Sequence, residues 1–102
     1  MEGHSPGLCD LKIVAYVTSW CPDCHRSRRV LQRLGVRCVE IDTEKPPGAE
    51  AAMRAVNGDS GKIPTILIDG PGGCAVLVEP ADRELVDAVR RCARLAPHDS
   101  GR

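Results

Sequence analysis

Apolar and polar positions along the chain form blocks that predict alternating strands and helices. Leu11 to Thr18 is rich in β-branched and apolar residues, which is typical of a strand buried on both faces. Pro22 suits the first turn of a helix, and Gly35 suits its end. Between them, small and apolar side chains recur at steps of three and four, which predicts an amphipathic helix. The predicted buried face contains Cys24, Ser27, Val30, Leu31 and Leu34.

The middle of the chain predicts a second strand and a second helix. Val36 to Asp42 is a β run with partial alternation. Two prolines at 46 and 47 then break the chain before Ala49 to Val56, a good helix-forming stretch that Asn57 and Gly58 end. Strand, helix and strand in this order predict a right-handed parallel unit.

The last third predicts a hairpin and a helix. Ile66 to Ile68 and Cys74 to Val78 flank a glycine-rich turn, as in an antiparallel hairpin. Pro80 to Asp82 then opens a helix with an apolar face. The order βαβαββα therefore predicts an α/β fold, a four-stranded mixed sheet with helices on both faces. The apolar face of the last helix is predicted to contain Leu85, Val86, Val89 and Cys92 or Ala93.

Length and charge limit the classes of protein to consider. A chain of 102 residues makes one domain, here 11–95, between segments 1–10 and 96–102 that lack periodicity and are expected to be flexible. Fourteen basic residues cancel fourteen acidic ones, so no net field favours nucleic acid or an anionic membrane. The apolar run Ile13 to Val17 is too short for a signal peptide or a membrane span. We expect a monomeric, cytoplasmic protein.

Six cysteines are the unusual feature of the composition. In the cytosol, thiols stay reduced unless they are catalytic, bound to metal or buried. Cys21 and Cys24 are close together, as Cys-Pro-Asp-Cys, at the predicted turn from strand to helix. This placement in a βαβ unit is typical of a thiol redox motif. The others, Cys9, Cys38, Cys74 and Cys92, stand singly; we expect them to be structural, with Cys9 the first candidate for an exposed thiol.

The spacing of the pair suits disulfide chemistry. Residues three apart at a helix start lie on one side, so Cys21 and Cys24 can close a disulfide. Free N–H groups at the helix start favour the thiolate of Cys21, which makes it the attacking sulfur. Cys24 faces the core and is suited to resolving a mixed disulfide. Asp23 opposes the thiolate, whereas positive charge is expected nearby from His25, Arg26, Arg28 and Arg29.

The pair is open to three other interpretations. Cys21 to His25 matches the C-x-x-C-H pattern of haem attachment, but the chain shows no export signal and only two aromatic residues to line a haem pocket. A zinc site requires two such pairs or a combination with histidine, which the spacing does not supply. Two buried structural cysteines are disfavoured by the strand-to-helix position. No bound metal is therefore expected.

Two segments resemble a known family. Thr18 to Cys24 (TSWCPDC) and then Ile63-Pro64-Thr65 resemble the glutaredoxin branch of the thioredoxin superfamily. The closest likeness is to the mycoredoxins, actinobacterial members that act with mycothiol. The resemblance covers about Lys12 to Arg91. It implies a thioredoxin fold, reversible thiol–disulfide oxidoreductase activity and a cis peptide bond before Pro64.

Substrate contacts are expected beside the Cys pair. The Ile63-Pro64-Thr65 loop is placed to pair with an extended thiol peptide. Trp20 is either an apolar wall next to Cys21 or a core residue. Asp82 and the amides of the last helix either hold a substrate carboxylate or hydroxyl, or serve as a helix start and cap.

The sequence also departs from the family pattern. Pro-Asp lies between the cysteines, where glutaredoxins commonly have Pro-Tyr, and Glu79-Pro80 replaces a Gly-Gly pair. The function we expect is reduction of mixed disulfides between proteins and a small thiol, with Cys21 attacking, Cys24 resolving, and mycothiol or glutathione as reductant rather than a bound cofactor. Two alternatives remain: a thioredoxin-like reductase fed by a flavoenzyme, and a metal- or iron–sulfur-binding protein.

Overall fold

A computed structural model describes residues 11–94 as a four-stranded sheet with three helices. The predicted order βαβαββα is confirmed. Segments 1–10 and 96–102, expected to be flexible, lie outside the described residues, as does the last predicted domain residue, Leu95. In chain order the elements are β1 (Lys12–Val17), α1 (Pro22–Leu34), β2 (Val39–Asp42), α2 (Ala49–Val56), β3 (Thr65–Gly70), β4 (Gly73–Val78) and α3 (Asp82–Ala93).

The sheet is mixed, as expected, with strand order β2-β1-β3-β4. β1 and β2 are parallel, whereas β3 is antiparallel to both β1 and β4. Tyr16 near the end of β1 is opposite Thr65 at the start of β3. The turn that carries the Cys pair and the loop that carries Pro64 therefore lie at the same edge of the sheet.

One face of the sheet forms the main core with α1 and α3. Its floor contains Ile13, Ala15 and Val17 of β1. The chain has no Phe, so this core is packed with aliphatic and thiol side chains. The predicted apolar faces of both helices are largely confirmed, with Ala88 as an added member. The helices contribute Cys24, Val30 and Leu31 from α1 and Leu85, Ala88, Val89 and Cys92 from α3.

The opposite face is covered near the site by α2. Met53 of α2 and Tyr16 of β1 are buried but lie outside the main core cluster. Asn57, at the end of α2, donates from Nδ2 to the Thr65 hydroxyl at 2.9 Å. This contact fixes α2 over the sheet edge where the Cys pair lies.

The second strand begins later than predicted. The sequence predicts a strand over 36–42, but β2 begins at Val39. Gly35 ends α1 in a left-handed conformation and donates its N–H to Gln32 O at 3.0 Å, while the Val36 amide donates to Leu31 O at 3.2 Å. Closing the helix thus occupies the Val36 amide, and the strand begins three residues later.

The singly placed cysteines differ in environment. Cys92 is fully buried, as expected of a core residue, and Cys38 is half-buried just before β2. The expectation for Cys74 is wrong: this residue is exposed. Ala75 and Leu77 pack against the core, so the alternation of β4 turns Cys74 to the other face of the sheet. Cys9 lies outside the described residues.

The turn between β3 and β4 lies against the end of α3. The Gly72 amide donates to the Cys92 carbonyl oxygen at 2.8 Å. A Cβ on Gly72 would collide with the carbonyl oxygens of Arg91 and Arg94. Close backbone approach therefore requires glycine at this position. Within residues 11–94, no helix has the length and apolar character needed to span a membrane.

Candidate active site

Cys21 lies at the point where the turn after β1 leads into α1. It is the residue just before the helix, with φ −84° and ψ 117°, and Pro22 follows in the first turn as predicted. The Cys21 Sγ accepts a hydrogen bond from the Cys24 amide at 3.3 Å. The sulfur thus takes the place of the side-chain oxygen that usually caps a helix.

The two thiols differ in access and in acidity. Cys21 is 5% exposed and Cys24 only 1% exposed, in the predicted order. Burial, together with the hydrogen bond and charge of neighbouring Cys21, raises the pKa of Cys24 to about 12. Cys24 therefore stays protonated near neutral pH as long as Cys21 is not part of a disulfide.

Trp20, which directly precedes Cys21, lies on the surface. Its side chain is 63% exposed, so the alternative of a core tryptophan is wrong. The indole Nε1 donates to Glu44 Oε1 at 3.2 Å, and the Glu44 amide in turn donates to Asp42 Oδ1 at 2.8 Å. These contacts connect Trp20, in the turn before Cys21, to Glu44 just after β2 and through it to Asp42 at the end of β2.

The Ile63-Pro64-Thr65 loop lies at the same edge of the sheet. The peptide bond between Ile63 and Pro64 is cis, as expected. Pro64 is buried, and its carbonyl oxygen accepts from the Glu79 amide at 2.8 Å. Thr65 is fully buried, with its hydroxyl held by Asn57 and donated to the Lys62 carbonyl oxygen at 3.0 Å. Of these residues, Ile63 is the one left partly open to a ligand.

Asp82 is placed beside the Cys helix by an ion pair. Arg26 of α1 contacts Asp82 Oδ1 at 3.2 Å and Asp23 Oδ1 at 3.1 Å. Asp82 is the first residue of α3 and does not cap it, because Ala81 holds that position and donates its N–H to Glu84 Oε1 at 2.8 Å. The structure therefore joins the starts of α1 and α3 through Arg26.

The positive charges expected around Cys21 are largely compensated. Arg26 is shared by Asp23 and Asp82. Arg28 makes two hydrogen bonds to Glu40, from Nε to Oε2 at 2.6 Å and from Nη2 to Oε1 at 2.9 Å. The bond to Glu40 raises the pKa of Arg28 further. Both guanidinium groups are thus paired with carboxylates.

A cavity of about 420 Å³ lies behind Cys24, between α1 and the sheet. Ala15, Val17 and Ile66 form its floor, and Arg28 and Glu40 are also in its wall. The small side chains among those that line the cavity, on α1 and on the sheet, leave it unfilled. The half-buried Cys38 lies in the same wall, where burial and then the charge of Glu40 raise its pKa to about 11.

Two site residues were not anticipated from the sequence. Glu40 of β2 bonds Arg28, and Glu44 just after β2 bonds Trp20; no local pattern signals contacts across such a separation in sequence. Within residues 11–94, no group of three or more His, Cys, Asp or Glu side chains is arranged to hold a metal ion.

Known structures share this fold at low sequence identity. Thioredoxin O2 from Arabidopsis thaliana superposes with a TM-score of 0.65 at 19% identity, over 83% of this chain and 76% of that one. Glutaredoxin from Brucella melitensis gives 0.54 at 21% identity, over 85% and 96% of the two chains. The fold is therefore the thioredoxin fold.

Sequence comparison assigns the family. A glutaredoxin from Pseudomonas aeruginosa strain PAO1 is 39% identical over 64 residues, which span 61% of this chain and 75% of that protein. The family model named Glutaredoxin matches residues 13–71, more than half of the chain, and this stretch contains the Cys pair and the Pro64 loop. The chain belongs to the glutaredoxin family of the thioredoxin superfamily and is a thiol–disulfide oxidoreductase.

Proposed function

We propose that this protein reduces mixed disulfides between proteins and a small thiol, with Cys21 as the nucleophile. The observation that carries the proposal is the position of Cys21 at the start of α1, where its sulfur accepts the Cys24 amide. A thiolate is the reactive form of cysteine, and this geometry supplies a hydrogen bond to it without a bound cofactor. The neighbouring Trp20, Ile63 and Asp82 are proposed to contact the substrate.

In the first step, the Cys21 thiolate attacks the sulfur that belongs to the small thiol. A new S–S bond forms between Cys21 and the small thiol, and the original bond to the protein sulfur breaks. The protein sulfur leaves with the electron pair and takes a proton from solvent. The target protein is thereby reduced, and the oxidising equivalent is held on Cys21.

In the second step, Cys21 is released by one of two thiols. A second small thiol, as its thiolate, attacks the sulfur attached to Cys21, so that a small disulfide leaves and the Cys21 thiolate returns. Alternatively, Cys24 loses its proton and attacks Cys21, giving a disulfide between them and releasing the small thiol. Burial and the Cys21 anion keep the pKa of Cys24 high, and only the second of these causes disappears once Cys21 is in a mixed disulfide. We therefore propose that the small thiol clears Cys21 faster.

The reductant is proposed to be a low-molecular-weight thiol of the mycothiol or glutathione type. We propose that the thiol binds among the exposed Trp20, the partly buried Ile63 and the Arg26–Asp82 pair, whose atoms lie 3.2 Å apart. Charged groups of both signs thus lie next to an apolar wall. Such a surface suits a compact, polar thiol better than a long apolar one.

Single-cysteine variants test the mechanism. In an assay on a protein mixed disulfide with the small thiol as reductant, Cys21→Ser should lose all activity, whereas Cys24→Ser should keep most of it. Cys74→Ser is the matched control because its thiol is exposed near the start of β4, the end of that strand away from the Cys pair. Full activity in Cys21→Ser would overturn the proposal.

A comparison of electron donors tests the reductant. The wild-type protein should turn over with mycothiol or glutathione, and with one of them much faster than with the other. Turnover supported only by a thioredoxin reductase would instead assign the protein to the flavoenzyme-fed class. Each donor is tested on the same mixed-disulfide substrate, so that the rates differ only through the second step.

A further inference from the structure

A chain of polar contacts connects β2 to the turn that precedes Cys21. Glu40 of β2 accepts two hydrogen bonds from Arg28 of α1, at 2.6 and 2.9 Å. The remaining Arg28 nitrogen, Nη1, lies 2.8 Å from His25 Nδ1. The opposite ring nitrogen, His25 Nε2, lies 3.2 Å from the Ser19 carbonyl oxygen. Ser19 is two residues before Cys21.

These partners determine the protonation of His25. A guanidinium has donors only, so His25 Nδ1 must accept from Arg28. A carbonyl oxygen only accepts, so His25 Nε2 must carry the hydrogen. In this arrangement Nδ1 is the acceptor and Nε2 the donor of the ring. A protonated ring would direct an N–H and a positive charge at Arg28.

The contacts hold the Cys turn from α1. The turn between β1 and α1 contains Ser19 and Trp20, and Trp20 is bonded to Glu44, which follows β2. With both residues held, the backbone of the turn directs Cys21 Sγ toward the Cys24 amide. A two-bond contact between guanidinium and carboxylate fixes direction as well as distance, which suits Arg28 to this task.

We propose that Arg28 is a positioning residue for Cys21, acting through His25 and the Ser19 carbonyl, and that Glu40 holds Arg28 in place. The proposal rests on the proposed function in one respect, that Cys21 is the nucleophile. The side chains of Arg28 and Glu40 are each 33% exposed, so their ion pair contributes little to stability. Its loss should therefore change the reactivity of Cys21 more than the fold.

Two substitutions distinguish positioning from a simple effect of charge. Arg28→Met removes a positive charge and Glu40→Met removes a negative one, so a charge effect would change Cys21 reactivity in opposite directions. Positioning predicts the same direction for both, because either change breaks the path to Ser19. We expect both to slow alkylation of Cys21 by iodoacetamide at pH 7 by roughly tenfold, within the ~100-fold that a misplacement of about 1 Å costs.

The measurement uses Cys24→Ser as background. The tryptic peptide 13–26 then contains Cys21 as its single cysteine, so mass spectrometry reports this thiol alone. Arg29→Met is the matched control for the loss of charge, because Arg29 is the next residue on α1 and is exposed. Arg54→Met controls for the loss of an ion pair, since Arg54 binds Glu50 at 3.0 Å on α2. Neither control should change the rate.

The histidine provides a readout that does not depend on activity. The ¹⁵N shifts of the His25 ring, assigned among three histidines with a His25→Gln variant, should show Nε2 as the donor nitrogen and Nδ1 as the acceptor. Arg28→Met should abolish that preference, and Arg28→Lys should restore part of it.

Opposite effects of the Arg28 and Glu40 variants, no effect of either, or a wild-type His25 that is protonated on Nδ1 would each overturn the proposal. Failure of the proposed function would instead appear as a wild-type protein inactive on mixed disulfides, with the alkylation and ¹⁵N results unaffected.

Discussion

Glu79 lies in a backbone conformation that residues other than glycine rarely adopt. Its φ is +49°, at the position where the resemblance to glutaredoxins places glycine. A left-handed residue with a Cβ costs roughly 1–2 kcal/mol. The Glu79 amide still bonds the Pro64 carbonyl oxygen at 2.8 Å, so the conformation is held by the loop beside Cys21.

Replacing Glu79 should therefore stabilise the protein. Asn tolerates this backbone region better than Glu, so Glu79→Asn should raise the free energy of unfolding by roughly 0.5–1 kcal/mol in urea titrations. Lys62→Met is the control, because it removes the exposed Lys62–Glu79 pair, at 3.9 Å, without changing the backbone at 79. Destabilisation by Glu79→Asn beyond that of the control would contradict this explanation.

At the scale of residues, local signals in the sequence placed Cys21 and Cys24 correctly at the start of α1 but did not indicate the residues that hold this turn. Cys21, Cys24 and Pro22 are neighbours in the chain, and helix-start chemistry alone arranges them. The contact of Arg28 with Glu40 joins residues twelve apart on different elements. Such a contact follows only from how α1 crosses the sheet, which no local pattern encodes.

Among the elements, the β3–β4 turn and α3 depend on each other. The Gly72 amide satisfies the Cys92 carbonyl oxygen near the end of α3, where helices leave carbonyl groups without partners. A Cβ at Gly72 meets backbone oxygens of Arg91 and Arg94, which cannot move without disturbing the helix end.

Gly72→Ala should consequently separate the turn from the helix. We expect a loss of about 1–3 kcal/mol in the free energy of unfolding, as for other overpacked sites, measured by urea denaturation. Cys74→Ala, an exposed change in the same hairpin, should have little effect. Equal stability of the two variants would show that the turn does not pack as described.

Element boundaries were predictable where a residue terminates structure by its own chemistry. Ala49–Val56 agrees with the sequence because a proline pair precedes it and Asn57 follows it. The start of β2 was not predictable from β propensity, since the Val36 amide is used by the end of α1. The exposure of Cys74 depends on which face of β4 the helices cover, and that is a property of the assembled sheet.

For the molecule as a whole, buried thiols lower the free energy of unfolding as the pH becomes alkaline. Burial and the Glu40 charge raise the pKa of Cys38 to about 11. In the unfolded chain, the pKa of a cysteine is about 8.5. Between these values the unfolded chain releases a proton that the folded chain keeps. The contribution of Cys38 is therefore complete below about pH 8.5 and is lost as pH rises toward 11.

Cys38→Ser should accordingly flatten the alkaline loss of stability. The wild-type free energy of unfolding should fall more steeply than that of the variant between about pH 9 and 11, by less than about 1.4 kcal/mol per pH unit because the site is half-buried. Urea titrations across this range measure the slopes, and Cys74→Ser serves as the exposed-thiol control. Parallel slopes for wild type and Cys38→Ser would contradict the assignment.

The position of Trp20 gives the protein an optical reporter of its own chemistry. It is the single tryptophan of the chain, it is 63% exposed, and it directly precedes Cys21, the proposed nucleophile. Its indole hydrogen bond to Glu44 responds to any movement of the turn. Intrinsic fluorescence should therefore follow the formation and release of a mixed disulfide on Cys21 in real time, without a label.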